Sequence, residues 1–255
     1  MNRRLTRFAL AAGVATAGIA VFASTASASF HLNLIREVHE GNGATGDYVE
    51  LQSYAAGENF VGGKYIHTYD GGGGALTSTL IPSDVANGAN QATILIAHDA
   101  STPGADVINA GLNVDNTGGT VCYSASADPS APALDCVAFK GNGASATMFP
   151  TPPPSPYGTP FALPGAAPLA QLGPNQSLIR TISRGCPTQL DAADDTNNSA
   201  ADFTIGPGNP RGNSVTPTET PCPASPASKK CKKHKKKKTG AYSAKKKKCK
   251  KKKRH

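Results

Sequence analysis

Glycine and proline are spread so densely through this chain that they limit the length of any regular element. Its 255 residues include 27 glycines and 20 prolines, and both residue types interrupt the apolar periodicity of a helix. Between them lie short runs rich in β-branched and aromatic residues, a pattern typical of strands. About eight such runs are evident: 32–38, 48–52, 65–69, 76–81, 93–97, 119–123, 134–139 and 177–182. This pattern predicts an all-β domain, either a sandwich or a barrel.

One stretch between the last two runs does not fit a strand. Residues 149–168 contain eight prolines, and proline cannot donate to a β-ladder. The composition predicts a long extended loop on the surface. It either connects two strands or lines a ligand groove, and a simple connection is the commoner case.

The charged residues divide the chain into segments of opposite sign. Residues 29–228 contain six Lys and Arg and all 17 Asp and Glu, whereas residues 229–255 contain 17 Lys and Arg and no acid. A lysine block with almost nothing to bury cannot offset the entropy lost on folding. We therefore predict a β-domain over residues 29–215, a Pro/Ser/Thr linker over 216–228 and a disordered tail over 229–255.

The basic tail carries the clearest binding signal, because like-charge blocks of this kind often act as interaction arms. The candidate polyanion-binding residues are Lys229, Lys230, Lys232, Lys233, Lys235, Lys236, Lys237, Lys238, Lys245, Lys246, Lys247, Lys248, Lys250, Lys251, Lys252, Lys253 and Arg254. They include no base-reading motif, so nonspecific binding is expected. The expected partners are an anionic cell-wall polymer, anionic lipid or extracellular nucleic acid.

The first 28 residues have the three parts of an export signal. Arg3, Arg4 and Arg7 form a positive start, residues 8–23 are uncharged and mostly apolar, and Ala-Ser-Ala at 26–28 supplies a small-x-small cleavage pattern. An uncleaved anchor is the alternative, but the apolar run is shorter than the roughly 20 residues of a membrane span. We predict a secreted or cell-surface-associated protein with no transmembrane segment in the mature chain.

An even number of cysteines in an exported chain favours disulfides. The candidates are Cys122, Cys136, Cys186, Cys222, Cys231 and Cys249. Sequence alone does not choose among their pairings. The first two lie in short β-like runs that could sit side by side, so that pair is favoured, followed by 186 with 222 and 231 with 249. Metal ligation is the alternative, but thiol-ligand zinc sites usually contain a CxxC pair and this chain has none.

The sequence lacks the common catalytic motifs. The chain has no GxSxG elbow, HExxH motif or phosphate-binding loop, which are the signatures of several enzyme classes. Glu37 and Glu50 could face each other on neighbouring strands, where paired carboxylates can do acid/base work, although glutamates on solvent faces are far commoner. No cofactor or metal is predicted. Scattered surface or packing histidines are expected at His31, His39, His67 and His98.

One acidic segment has two interpretations. Residues 191–202 include Asp191, Asp194, Asp195 and Asp202 with two asparagines between them. Carboxylate and amide oxygens are the ligands that calcium prefers, but the spacing does not match an EF-hand loop. Asp and Asn also form turns by bonding their own backbone. A structural turn is favoured and calcium remains the alternative.

Taken in order, these segments resemble the lamin-tail domains of exported bacterial proteins. The motifs are IREV at 35–38 with GDYVEL at 46–51, then 92–97, 118–122, 135–138 and 177–180, and finally DTNNSAADF at 195–203 with GNPRGN at 208–213. The resemblance spans roughly residues 30–213 and implies an immunoglobulin-like β-sandwich without established catalytic residues. The chain departs from the family in lacking its tryptophan and in the stretch 54–74.

These observations favour an exported, non-catalytic structural or binding protein that its basic tail retains at the cell surface or matrix. The alternative is self-association, in which the acidic body of one molecule attracts the basic tail of another. An enzyme of unrecognised type has the least support, since no nucleophile, base and orienting group can be assembled.

Overall fold

The computed structural model describes residues 29–41, 46–115, 117–141, 158–163, 172–173 and 175–222. These residues form eleven strands and little helix. The strands are β1 (Asn33–His39), β2 (Tyr48–Ser53), β3 (Lys64–Tyr69), β4 (Ala75–Ile81), β5 (Thr93–Ala97), β6 (Val107–Ile108), β7 (Gly118–Ser124), β8 (Asp135–Lys140), β9 (Phe161–Ala162), β10 (Gln176–Arg180) and β11 (Phe203–Pro207). A 3-10 turn (Ala192–Asp194) and the single-turn helix α1 (Ser199–Asp202) precede the last strand.

The strands make two sheets. The six-stranded sheet has the order β11-β10-β1-β2-β5-β6, and the five-stranded sheet has the order β4-β3-β7-β8-β9. The short strands β6 and β9 pair parallel to β5 and β8, while the long strands pair antiparallel. The chain leaves the first sheet after β2, makes the β3–β4 hairpin in the second and returns for β5. The predicted all-β, immunoglobulin-like sandwich class is confirmed.

Apolar side chains from one face of each sheet form the core. Leu51 and Ile94 come from the six-stranded sheet and Ile66, Val121 and Val137 from the other, all at most 1% exposed. Successive side chains of a strand point to opposite faces. The alternate residues of β2 therefore lie on the outer face of the six-stranded sheet, and these are polar or aromatic.

A bulge in β1 sets which side chains share that outer face. The register between β1 and β2 shifts between Ile35 and Glu37, which leaves Arg36 as the extra residue of the bulged strand. Ile35 and Val38 both reach the core, while Arg36 and Glu37 line the same outer cleft.

The eight predicted runs correspond to β1–β5, β7, β8 and β10, each within two residues at either end. Three strands were not predicted. β6 and β9 have two residues each, too few to show a period. β11 follows the acidic segment and holds a glycine and a proline, which masked its strand character.

The prediction that residues 149–168 form a surface loop without a strand is wrong for one part. Phe161–Ala162 form β9, and Leu163 is only 3% exposed. Residues 161–163 are apolar and free of proline, so their N–H groups can donate, and that of Leu163 bonds the carbonyl of Lys140 at 2.8 Å. Residues 142–157 and 164–171 lie outside the described residues.

Two disulfides occur among the described residues. Cys122 and Cys136 face each other on β7 and β8 with Cα atoms 4.2 Å apart. Cys186 and Cys222 bridge 36 residues with Cα atoms 5.7 Å apart. Both pairs are those that the sequence favoured.

Candidate functional site

Several predicted segments lie outside the described residues: the export signal 1–28, Cys231, Cys249 and all 17 basic side chains of the tail. The start of the predicted linker is described. Its Glu219 accepts a hydrogen bond from Gln52 at 2.9 Å, and Cys222 is disulfide-bonded. Residues 216–222 therefore contact the body.

The basic side chains of the body are largely engaged within it. Lys64 lies 4.0 Å from the centroid of the Phe30 ring. The four arginines bond acidic or carbonyl oxygens: Arg36 to the carbonyl of Arg180, Arg180 to Asp135, Arg184 to Asp202, and Arg211 to Glu50 and Glu219. These contacts leave little free positive charge on the body for an anionic ligand.

A polar cleft lies on the outer face of the six-stranded sheet. Glu37 and Glu50, on β1 and β2, are register partners, and only 4% and 1% of their surfaces are exposed. Residues 208–219, called the C-terminal strap, contact both. The backbone N–H of Arg211 donates to Glu50 at 2.7 Å, and that of Asn209 donates to Glu37 at 3.1 Å.

The environment of Glu50 disfavours its charge. Burial raises the pKa of Glu50 to about 7, although the Arg211 guanidinium, 3.5 Å away, opposes the shift. Arg211 also pairs with Glu219 at 2.7 Å. The cleft can therefore take up a proton near neutral pH, and its charged groups hold the strap to the sheet.

A cavity of about 300 Å³ opens on the same face near the ends of β1 and β2. The rings of His39 and Tyr48 are stacked there, 4.8 Å apart. The hydroxyl of Tyr48 donates to Glu37 and lies 3.1 Å from the Ser177 hydroxyl. Burial and the Glu37 carboxylate raise the pKa of Tyr48, so this phenol stays protonated at neutral pH.

The histidine in this cavity does not activate its serine neighbour. His39 Nδ1 lies 2.9 Å from the carbonyl oxygen of Gln176 and 3.1 Å from the Ser177 hydroxyl. A carbonyl oxygen only accepts, so Nδ1 carries the proton and has no lone pair for the hydroxyl. The group resembles a Ser–His pair in composition, but it cannot take a proton from Ser177.

In a second histidine–serine contact, the serine hydroxyl donates to the histidine. His67 is fully buried on β3, and burial lowers its pKa. Its Nε2 lies 2.8 Å from the carbonyl of Ser126, so Nε2 donates, and Nδ1 accepts from the Ser78 hydroxyl at 2.8 Å. These bonds tie β4 and the loop after β7 to β3, which is the packing role expected of a histidine.

A buried charge cluster around Arg180 links the two sheets. Arg180, 1% exposed, donates to the carbonyl of Ile35 at 2.8 Å and to the Asp135 carboxylate at 2.6 Å. The same carboxylate accepts from the Ile35 N–H at 2.7 Å. Burial raises the pKa of Asp135 to about 6 against the attraction of Arg180. The guanidinium also lies 4.7 Å from the Phe203 ring.

The acidic segment 191–202 uses its carboxylates for turns and ion pairs. Asp191 caps the 3-10 turn through the N–H of Ala193. Asp194 accepts from the N–H groups of Ser183 and Arg184 at 3.0 and 2.9 Å. Asp202 accepts from the N–H groups of Thr196 and Asn198 at 2.9 and 3.2 Å. These contacts support the turn interpretation, since the oxygens already have protein donors.

Comparisons with family models, curated proteins and solved structures gave no match to this chain. None of the described residues forms a helix long and apolar enough to cross a membrane. The described residues also contain no group of three or more His, Cys, Asp or Glu side chains arranged to hold a metal ion.

Sequence reasoning missed the residues that organise both polar sites. Tyr48, Ser177 and Arg180 lie in segments of the lamin-tail resemblance, which implies no site role for them, and Arg211 lies close to the predicted linker. The available signal was alternation: Tyr48, Glu50 and Gln52 alternate with the apolar Val49 and Leu51. That pattern predicts that they share one face of the strand. It gives no indication that the C-terminal strap covers this face.

Proposed function

We propose that this chain is an exported, non-catalytic structural or binding protein held at a cell surface or matrix by its tail. Residues 229–255 bind polyanions electrostatically, and the β-sandwich is the body that they anchor. The observation that carries the proposal is the separation of charge: 17 basic side chains and no acid lie in the last 27 residues. Two disulfides are compatible with an oxidising, extracellular compartment.

The contacts of the body support the assignment of binding to the tail. Its arginines are engaged with acidic or carbonyl oxygens, so a polyanion would displace internal contacts to reach them. Eight of the 17 acidic side chains are buried. This burial reduces the acidic surface available to a basic tail, which counts against self-association through body and tail.

The resemblance of residues 30–213 to lamin-tail domains supports the structural part of the proposal. The resemblance implies no catalytic residues. In addition, His39 carries its proton on Nδ1, the nitrogen next to Ser177, and so cannot activate that hydroxyl as a nucleophile. The preferred partners remain an anionic wall polymer, anionic lipid or extracellular nucleic acid, bound without sequence preference.

The test compares three proteins that begin at residue 29: one ends at His255, one ends at Ser228, and one keeps the tail with every lysine changed to glutamine. Each is titrated with inorganic polyphosphate, duplex DNA and phosphatidylglycerol vesicles between about 50 and 200 mM salt. Release of condensed counterions makes affinity fall steeply with salt, by about 10³-fold or more for six phosphate contacts.

We expect tight, salt-sensitive binding by the complete tail only. The glutamine tail is the matched control, because it keeps the length and cysteines and removes 16 of the 17 positive charges. Equal binding by the protein that ends at Ser228 would refute the proposal and place recognition on the sandwich. Turnover of a substrate by the body, abolished by one substitution, would refute its non-catalytic part.

A further inference from the structure

The four edge strands of the two sheets differ in how open they are to another chain. An edge strand exposes unpaired N–H and C=O groups, and natural proteins protect such edges with short length, proline or charge. β6 and β9 have two residues each, and β11 has five and ends at Pro207. β4, at the edge of the five-stranded sheet, has seven residues.

β4 lacks most of these protections. Its sequence ALTSTLI contains no charge and no proline. Leu76 and Leu80 are 37% and 39% exposed, and they are two of the five exposed large apolar side chains among the described residues. A bulge opposite Thr68 and Tyr69 leaves Leu76 as the extra residue. The regular ladder from Thr77 to Ile81 is unaffected by it.

The open side of β4 has no partner among the described residues. The strand pairs with β3 on its other side, where the Gly63 N–H donates to the Ile81 carbonyl at 2.8 Å. The His67–Ser78 hydrogen bond also lies on that side of the strand. A further strand can therefore add to the ladder without breaking an observed contact.

The five central residues of β4 read the same in both directions around Ser78. Leu76-Thr77-Ser78-Thr79-Leu80 is a palindrome, and an antiparallel pair related by a two-fold axis places identical types opposite each other. Leucine faces leucine, threonine faces threonine, and Ser78 faces Ser78 of the second copy. We propose that β4 is a self-pairing edge, where two copies of this chain join their five-stranded sheets.

The lack of charge on β4 is compatible with a second copy as the occupant. The body is acidic overall, but β4 is uncharged, so two bodies meet at a strip without like-charge contacts. An extended basic or acidic partner would find no complementary charge on the strand. The contact involves far fewer than the roughly 20–30 residues a side of a standard interface, so the dimer is weak and depends on concentration. The proposal is independent of polyanion binding by the tail.

Disulfide trapping tests both the pairing and its register. Paired Cα atoms in an antiparallel ladder lie about 4.5–5.5 Å apart, within the range that a disulfide spans. Ser78→Cys should therefore give a covalent dimer under mild oxidation. Leu80→Cys should not, because two copies of position 80 lie four residues apart along the pair, about 13 Å. Cys231 and Cys249 are changed to serine in every protein to remove their thiols.

Ile108→Cys is the matched control for random collision, since Ile108 is 58% exposed on a different edge. We expect at least tenfold more dimer from Ser78→Cys than from Leu80→Cys or Ile108→Cys. This excess should disappear when the oxidation is carried out in urea, where the strands no longer pair. Equal trapping of all three would overturn the proposal, and so would trapping at position 80 in preference to 78.

A measurement that needs no introduced cysteine controls for misfolding of the cysteine variants. The average mass of the parent protein in sedimentation equilibrium should rise with concentration. Leu80→Lys should keep it monomeric, because two lysines would enter the pair, whereas Ile108→Lys should not change the association. A parent protein that stays monomeric up to millimolar concentration would refute the proposal.

Discussion

Replacing Arg180 by methionine should destabilise the sandwich more than replacing any other arginine of the body. The substitution leaves Asp135, 2% exposed, with the Ile35 N–H at 2.7 Å as its remaining described donor. It also removes the bonds of Arg180 to the carbonyls of Ile35 and Asp194. Removal of one partner from a buried ion pair costs about 3–5 kcal/mol, a large part of the roughly 5–15 kcal/mol of a typical domain.

The assay is equilibrium unfolding in urea, followed by far-UV circular dichroism and tyrosine fluorescence, since the chain has seven tyrosines and no tryptophan. Arg184→Met is the matched control: Arg184 is 34% exposed and its partner Asp202 keeps the N–H groups of Thr196 and Asn198 as donors, so its loss should cost less, about 1–2 kcal/mol. The double variant Arg180→Met with Asp135→Asn should be more stable than the sum of the singles by about 1–3 kcal/mol. Equal costs for Arg180→Met and Arg184→Met, or additive singles, would refute the reasoning.

Three further predictions concern protons and cross-links. The pKa of Glu50 is raised from 4.5 to about 7. The contribution of its protonated form to the free energy of unfolding is therefore fully present below about pH 4.5 and is lost as pH rises through 7. Urea titrations should show a decline of about 3 kcal/mol over that window, and Glu50→Gln should remove it; an unchanged slope would contradict the assignment. Loss of the Cys122–Cys136 disulfide, which closes a 14-residue separation, should cost about 3 kcal/mol, measured with both cysteines changed to alanine. Tyr48→Phe removes the donor to buried Glu37 and should cost about 1–3 kcal/mol; a change below 0.5 kcal/mol in thermal unfolding would show that this bond contributes little.

The agreement between sequence and structure is greatest where a signal is local. The run Thr93–Ala97 was predicted with its observed ends, because an apolar run bounded by polar turns depends on neighbouring residues alone. The pairing of Cys122 with Cys136 followed from two β-like runs close in sequence. β9 was missed because Phe161–Ala162 becomes a strand only where β8 offers it an edge.

The candidate site depends instead on contacts between residues that are far apart in the sequence. Adjacent positions for Glu37 and Glu50 were foreseen as a possibility, and the register confirms it. Their burial was not foreseen, since the strap that covers them is 160 or more residues distant in sequence. The ion pair of Arg180 with Asp135 likewise joins residues 45 positions apart.

By itself the sequence determined the all-β class, the approximate strand positions and the separation of charge between body and tail, because periodicity, turn residues and net charge are properties of contiguous segments. Only the tertiary structure decided which carboxylates are buried, which nitrogen of His39 and of His67 carries the proton, and which strand remains an open edge. Those features depend on burial and on contacts between distant segments, and these exist only once the two sheets have packed.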